Sequence, residues 1–248
     1  MSISSVTNDK GSSDHFEDHR NAPDASRCAD CSGHTAPLPD PPSYRKIANP
    51  APLGLFSIGT GFLLEGLLSL QTRGVKIPNV ALVIFIFYGG ICQFIVGLVE
   101  MFCGNTFGAT VFCSYGAFNL SYGALFLPAL GVTAAYTVDG VLSPQYSQAV
   151  GLFLWCWFVV TMLFVIGALR SSVAILSTLV FVALAFATLG TAEFTGSDAA
   201  RIAGGAFSIC AAICAYWGAV SGFYGKDGAG ATFHSLNVPS VSLGYSQV

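Results

Sequence analysis

The chain has 248 residues, of which 53% are hydrophobic and only 9% charged, with a formal net charge of −3. A water-soluble domain carries charge on about a quarter of its residues, so this composition excludes an ordinary soluble globule. With no large basic patch, it also excludes a nucleic-acid binder. The charge is unevenly placed: residues 1–46 hold seven acids and five bases, and the remaining 202 residues share six acids and five bases.

Residues 1–46 form a polar tail rich in Ser, Asp, Asn, His and Pro, which is expected to be disordered and cytoplasmic. Within it Cys28, Cys31 and His34 stand at C-x-x-C-x-x-H spacing, but a second ligand pair at finger spacing is missing. No metal site and no cofactor are therefore expected. The first thirty residues contain no signal peptide, so the first apolar span is expected to act in targeting.

The solvent changes at Asn49-Pro50-Ala51-Pro52-Leu53-Gly54-Leu55. Asn49 suits a helix N-cap and Pro50 the first helical position, where a missing N–H costs nothing. The N–H groups of Ala51 and Leu53 then lack intrahelical partners and are free to meet a negative group. A plain, well-capped helix start is the other reading.

From Ile47 onward, uncharged runs approach or exceed the roughly 20 residues a membrane helix needs. They predict helix one from Ile47 past Glu65 to Gln71, helix two over Ile77–Val99, and helix three from Met101 to about Leu127, before Pro128. After an irregular linker over residues 129–146 come helix four (Ser147–Leu169), helix five (Ser171–Ala192) and helix six (Ile202–Gly225). The fold class is thus all-α, a polytopic membrane protein with six transmembrane helices over 47–225 and a flexible tail over 226–248. An even number of crossings puts both termini on the same side. Arg45, Lys46, Arg170 and Lys226 face that side against Arg73, Lys76 and Arg201, which together with the long polar tail places the termini in the cytoplasm.

Polar groups inside apolar spans are functional candidates, because an ionised side chain at mid-bilayer costs about 2.5–3.5 kcal/mol on insertion scales. Glu65 shares a helical face with Gly54, Ser57 or Ile58, Gly61, Ser69 and Thr72. This small, polar stripe either faces water or makes a close helix contact. Helix two carries Gly89, Gln93, Gly97 and Glu100 at similar spacing. Helix three carries Gly108, Tyr115, Asn119 and Tyr122, with Thr110, Ser114 and Ser121 nearby. Three consecutive polar stripes favour a solute path over ordinary polar glue between helices. In helix six, Gly218 and Gly222 stand at small-xxx-small spacing and are expected to serve packing, including contacts between subunits. Nothing points to an enzyme: all four His lie in the tails, and no H-E-x-x-H, G-x-S-x-G or P-loop pattern occurs.

Taken in order, NPAPLGL at Asn49–Leu55, Phe87-Tyr88-Gly89-Gly90-Ile91 with Gln93, then Glu100, Gly104-Asn105-Thr106-Phe107-Gly108 and Ser114-Tyr115-Gly116 resemble the acetate uptake transporter family. That family includes bacterial succinate–acetate permeases and yeast acetate carriers. The resemblance covers about 47–225 and implies six helices per protomer, a homo-hexameric ring, and a separate pore in each protomer for acetate and related monocarboxylates. It further implies an apolar constriction made by a Phe in helix one, the Tyr of SYG and a Leu in helix five. The Tyr falls on Tyr115, the Phe on Ile58, and the Leu on Leu179 or Val180. The family's usual Trp after the Phe of SYG-x-F is replaced by Asn119, and Glu65 stands where an apolar residue is usual.

The resulting expectation is a channel or proton-coupled carrier in the plasma membrane. A small carboxylate would meet Asn49, the N–H groups of Ala51 and Leu53, and then Gln93, Asn105, Thr106 and Ser114. It would pass a neck at Ile58 and Tyr115. Glu65 and Glu100 are the candidate proton-coupling groups, with Glu65 either protonated or facing a subunit interface. The alternatives are a channel of the same fold for succinate, lactate or ammonium, and a membrane sensor that does not transport.

Overall fold

The computed structural model describes residues 47–224. The readings made for residues 1–46, including the Cys28/Cys31/His34 cluster, and for the C-terminal tail lie outside the described residues. Six long helices follow one another: α1 (Ala51–Ser69), α2 (Ala81–Phe102), α3 (Thr106–Ala124), α4 (Gln145–Ala168), α5 (Val173–Thr195) and α6 (Asp198–Phe223). Five of them are long and apolar enough to cross a membrane, so the chain is an integral membrane protein. The exception is α3, which at 19 residues matches α1 in length but carries Thr106, Thr110, Ser114, Asn119 and Ser121.

Helix starts follow local capping. Asn105 Oδ1 accepts from Gly108 N–H (3.0 Å), Ser172 Oγ from Ile175 N–H (3.3 Å) and Ser197 Oγ from Ala200 N–H (3.3 Å). These caps correct several predicted boundaries. The third helix begins at Thr106 rather than Met101, because Gly104 adopts φ 78° and Asn105 caps the helix after it. The fifth runs on to Thr195 and the sixth starts at Asp198, so both pass the charged residues that ended the uncharged runs. A helix stops where its backbone turns, here at Gly196 with φ 64°, and not at the first acid. The 129–146 linker is also more ordered than expected. It holds a helical turn (Val132–Ala135) and a small hairpin pairing Thr137–Val138 with Val141–Leu142. Asp139 and Gly140 both have positive φ (52° and 78°), as a two-residue hairpin turn of this hand requires.

The middle of α2 departs from α-helical geometry: Ile84–Cys92 is a π-helix, nine residues long, between α-helical ends. Its turns pair a carbonyl with the N–H five residues on, as the Tyr88 carbonyl takes the Gln93 N–H. Neighbouring helices add side-chain bonds: Ser57 Oγ donates to the Tyr88 carbonyl (2.6 Å) and Asn119 Nδ2 to the Gly89 carbonyl (3.1 Å).

The helices pack in sequence neighbours, α2 with α3, α4 with α5 and α5 with α6, while α1 returns to lie along α6. Contact between α1 and α6 is closest at Gly66 and Gly205; a Cβ on Gly66 would sit 2.7 Å from the Gly205 carbonyl oxygen. Gly218 and Gly222 also face α1, since side chains there would meet Leu55 and Pro52. Their small size thus serves the packing expected, within the protomer. Large apolar side chains such as Phe87, Ile95, Val159, Leu163, Ile166 and Ile213 are exposed around the outside, as a lipid-facing surface requires.

Gly66→Ala should destabilise the detergent-solubilised protein by about 1–3 kcal/mol, the usual cost of forcing extra volume into a packed contact. Gly61→Ala, whose new methyl would approach nothing nearer than Ile84 Cγ2 at 4.0 Å, should be neutral or slightly stabilising. Thermal melts of the two variants check the contrast.

Candidate functional site

Three cavities adjoin one another along the inside of the helix bundle. A vestibule of about 380 Å³ opens at the C-terminal end of α1. It shares Glu65, Tyr122, Leu154 and Leu189 with a central chamber of about 40 Å³. That chamber shares Ile58 with a third space of about 70 Å³ near the N-terminal end of α1, lined by Ala51, Asn105, Thr178 and Leu179 among others.

The central chamber is largely aromatic. Phe118 stands at its wall, with its ring centroid 4.9 Å from both Trp157 and Phe186 and 5.6 Å from Tyr122; Phe62 meets Phe186 edge-on at 6.1 Å. Tyr115 is 3% exposed, and its hydroxyl is held 2.9 Å from Thr161 Oγ1, which fixes the ring against Phe164. The hydroxyl therefore has a partner on α4, and the ring presents an apolar face to the chamber.

Into this surface projects the amide of Gln93, which is fully buried. Its Oε1 lies 3.4 Å from the donor Asn119 Nδ2, and 3.5 Å from Ser57 Oγ, whose single proton goes to the Tyr88 carbonyl. The Asn119 contact places Oε1 on this side, and the other end of the amide, Nε2, has no hydrogen-bond partner among the described residues. Leaving a buried donor unmade costs about 1–3 kcal/mol. A group that accepts a hydrogen bond in the chamber recovers that cost.

Residues 31–240 match the GPR1/FUN34/yaaH family. The chain belongs to this family. Among relatives within GPR1/FUN34/yaaH, the acetate permease A of Emericella nidulans is 34% identical over 72% of this chain and 62% of its own length. The ammonia transport outward protein 2 of Saccharomyces cerevisiae is 32% identical over 81% of this chain and 70% of its own. The chain thus spans about two thirds of the length of these fungal relatives. Among solved structures, the bacterial acetate channel SatP superposes with a TM-score of 0.63 at 32% identity, covering 71% of this chain and 92% of that one.

The GPR1/FUN34/yaaH bundle brings together some of the sequence candidates and separates others. Ile58, Glu65, Gln93, Tyr115 and Asn119 line the central chamber, and Ala51, Asn105 and Leu179 line the space beyond Ile58. Leu179 is 2% exposed, whereas Val180 is 38% exposed on the outer surface, so only Leu179 faces inward. Thr106 is exposed and Ser114 lines none of these spaces.

The expectation of free N–H groups at the start of α1 is corrected. Asn49 Oδ1 accepts from Ala51 N–H at 3.1 Å, and the Pro50 carbonyl accepts from Leu53 N–H at 3.1 Å. Pro50 already has near-helical angles (φ −82°, ψ −17°), so its carbonyl points along the axis and takes the donor that was expected to be free. The N-cap of α1 is Pro50 rather than Asn49, which is exposed before it, and the Leu53 side chain points outward, 47% exposed. The option of Glu65 at a subunit interface is corrected too: its carboxylate lines the vestibule and the central chamber, with Oε1 accepting from Ser69 Oγ at 3.0 Å. Glu100 is 2% exposed but lines none of the three cavities. It lies behind Asn105, whose Nδ2 donates to its Oε2 at 2.6 Å.

Sequence reasoning missed Phe62, Phe118, Phe186, Thr161 and Glu193. Phe186 stands seven residues after Leu179, two turns along the same face, and Thr161 is a lone hydroxyl within an apolar span. Both signals were available.

Asn105 both caps α3 and holds the Glu100 carboxylate, so Asn105→Ala should cost about 2–4 kcal/mol, the sum of a lost cap and an unpaired buried acid. In a Glu100→Gln background the same substitution should cost about 1 kcal/mol, the cap alone. Thermal unfolding of the four proteins gives the coupling.

Proposed function

We propose that the chain is a membrane transporter or channel for acetate and related small monocarboxylates. It crosses the plasma membrane six times with both termini in the cytoplasm, and a homo-hexamer provides one path through each protomer. The observation that carries this reading is an aromatic chamber lined by Gln93, whose Nε2 has no hydrogen-bond partner among the described residues. The names of the Emericella permease and the bacterial channel support the same solute class.

The chemistry rests on the size and lining of the chamber. A space of 40 Å³ has room for roughly three water-sized probes, enough for a solute such as acetate stripped of its hydration shell. The methyl group is well matched to Phe62, Phe118 and Phe186, and the carboxyl oxygen accepts from Gln93. Strongly hydrated inorganic ions meet Ile58, Tyr115 and Leu179, whose surfaces offer little to replace lost water. Asn105, beyond Ile58, supplies the next polar contact. With Ile58 in place of an aromatic ring, the neck should also pass somewhat larger monocarboxylates such as lactate.

A second reading, passage of ammonium, is favoured by Glu65 and Glu193 in the vestibule and by the name of the Saccharomyces relative.

Flux of labelled acetate into vesicles holding the purified full chain tests the first reading. Uptake should exceed that of protein-free vesicles, and Gln93→Leu should lower it about tenfold, equivalent to about 1.4 kcal/mol. Ile58→Phe should reduce lactate flux more than acetate flux. Acetate uptake no faster than in protein-free vesicles, with rapid methylammonium uptake, would favour the second reading.

A further inference from the structure

The vestibule holds a feature that the path itself does not demand: two carboxylates, Glu65 on α1 and Glu193 on α5, line it together. Glu65 is held by the Ser69 hydroxyl, which donates to its Oε1 at 3.0 Å, and the Ser147 hydroxyl of α4 lines the same space as Glu193. The other titratable groups facing this space are Tyr122 of α3, Lys76 before α2, and Asp198 and Arg201 of α6. Arg201 is already committed, with Nη2 2.7 Å from Asp198 Oδ1 and Nη1 on the Ser69 carbonyl. Among the described residues lining the vestibule, that leaves Lys76 facing two carboxylates. With both glutamates ionised an anion approaching from this side meets more negative charge than positive; with one of them protonated the charges balance.

Beyond Glu65 the demand changes. The chamber offers one unpartnered amide donor, Gln93 Nε2, in an otherwise largely apolar surface. A carboxylate has two oxygens with about four acceptor sites, which a single donor leaves mostly unmet. A neutral carboxylic acid has one carbonyl to accept from Gln93 and one O–H to donate. Glu65 lines the same chamber and can accept that O–H. The vestibule admits the anion once a glutamate there is protonated, and the chamber suits the acid.

Resting on the monocarboxylate reading above, we propose that Glu65 and Glu193 form a proton-loading pair that converts an arriving carboxylate to its neutral acid before it enters the central chamber. In the loading step, the O–H bond of a protonated glutamic acid side chain breaks and an O–H bond to the solute's carboxylate oxygen forms. The glutamate left behind regains its proton from hydronium in the vestibule, so charge and protons balance. Glu193 passes protons inward, and Glu65, shared by vestibule and chamber, delivers them.

The test uses full-length protein in vesicles and labelled acetate, with protein-free vesicles subtracted, at pH 5 and pH 7.5. At pH 5 neutral acid is already abundant, and at pH 7.5 it must be made. Glu65→Gln/Glu193→Gln should therefore lose at least tenfold of the wild-type flux at pH 7.5 and less than threefold at pH 5. Glu65→Asp/Glu193→Asp, which keeps the titratable groups, should stay within threefold of wild type at both. Flux at pH 5 from the same preparation shows that the Gln variant is folded. Single Glu193→Gln, at the vestibule wall, should show at least a threefold loss confined to pH 7.5. Equal losses at both pH values, or no loss at either, would overturn the proton-loading role while leaving acetate transport intact. Methylammonium uptake that depends on both carboxylates, with acetate flux unchanged, would also overturn it. If the wild type carries no acetate at either pH, the transport reading itself fails.

Discussion

Two hydrogen bonds to the π-helical part of α2 organise the centre of this molecule. A π-helix pairs each carbonyl with the N–H five residues on, as the Tyr88 carbonyl takes the Gln93 N–H, and a second lone pair on the oxygen stays open to a neighbour. Ser57 from α1 and Asn119 from α3 answer the carbonyls of Tyr88 and Gly89. The same two side chains lie beside Gln93 Oε1, with Asn119 Nδ2 as its donor, and the Gln93 side chain lines the chamber. Three helices are thereby tied at one level, and the polar group most relevant to a solute is oriented by bonds whose first purpose is structural.

The surroundings obey the same economy. Tyr115 is fixed through Thr161, Glu65 through Ser69, and Glu100 through Asn105. In each case a polar atom that would be expensive in lipid is bound to a neighbour, and the remaining surface is aromatic or aliphatic. Gln93 Nε2 differs because it has no hydrogen-bond partner among the described residues, on a side chain that lines the chamber. The Asn119 position matters doubly, since the amide both caps the π-helix and sits at the chamber wall, where a larger ring would occupy volume.

Much of this was legible in the sequence. The polar stripes of the first three helices, read at helical spacing, placed Ile58, Glu65, Gln93, Tyr115 and Asn119 on inward faces, and all five line one chamber. Elsewhere the reading failed for identifiable reasons. Counting uncharged runs ended two helices at Glu193 and Arg201, so Glu193 was left out of the spans although it lines the vestibule. Treating the prolines at the start of α1 as donor-removing overlooked that Pro50 can also supply a carbonyl, which takes the Leu53 N–H. The Asp139-Gly140 pair, flanked by Thr137-Val138 and Val141-Leu142, is a strong hairpin signal that was passed over for an irregular linker. Choosing between Leu179 and Val180 needed coordinates, because a register shift of one residue turns a helical side chain through about 100°.

The central claim is that solute crosses within a single subunit, between α1, α3 and α5, at the level of Ile58. Thiol modification tests it directly. In a background whose native cysteines have been replaced, Ile58→Cys is treated with a small methanethiosulfonate reagent while acetate flux into vesicles is followed. Modification should stop the flux, and millimolar acetate should slow the modification. A fully modified protein that still carries acetate at its original rate would contradict this route.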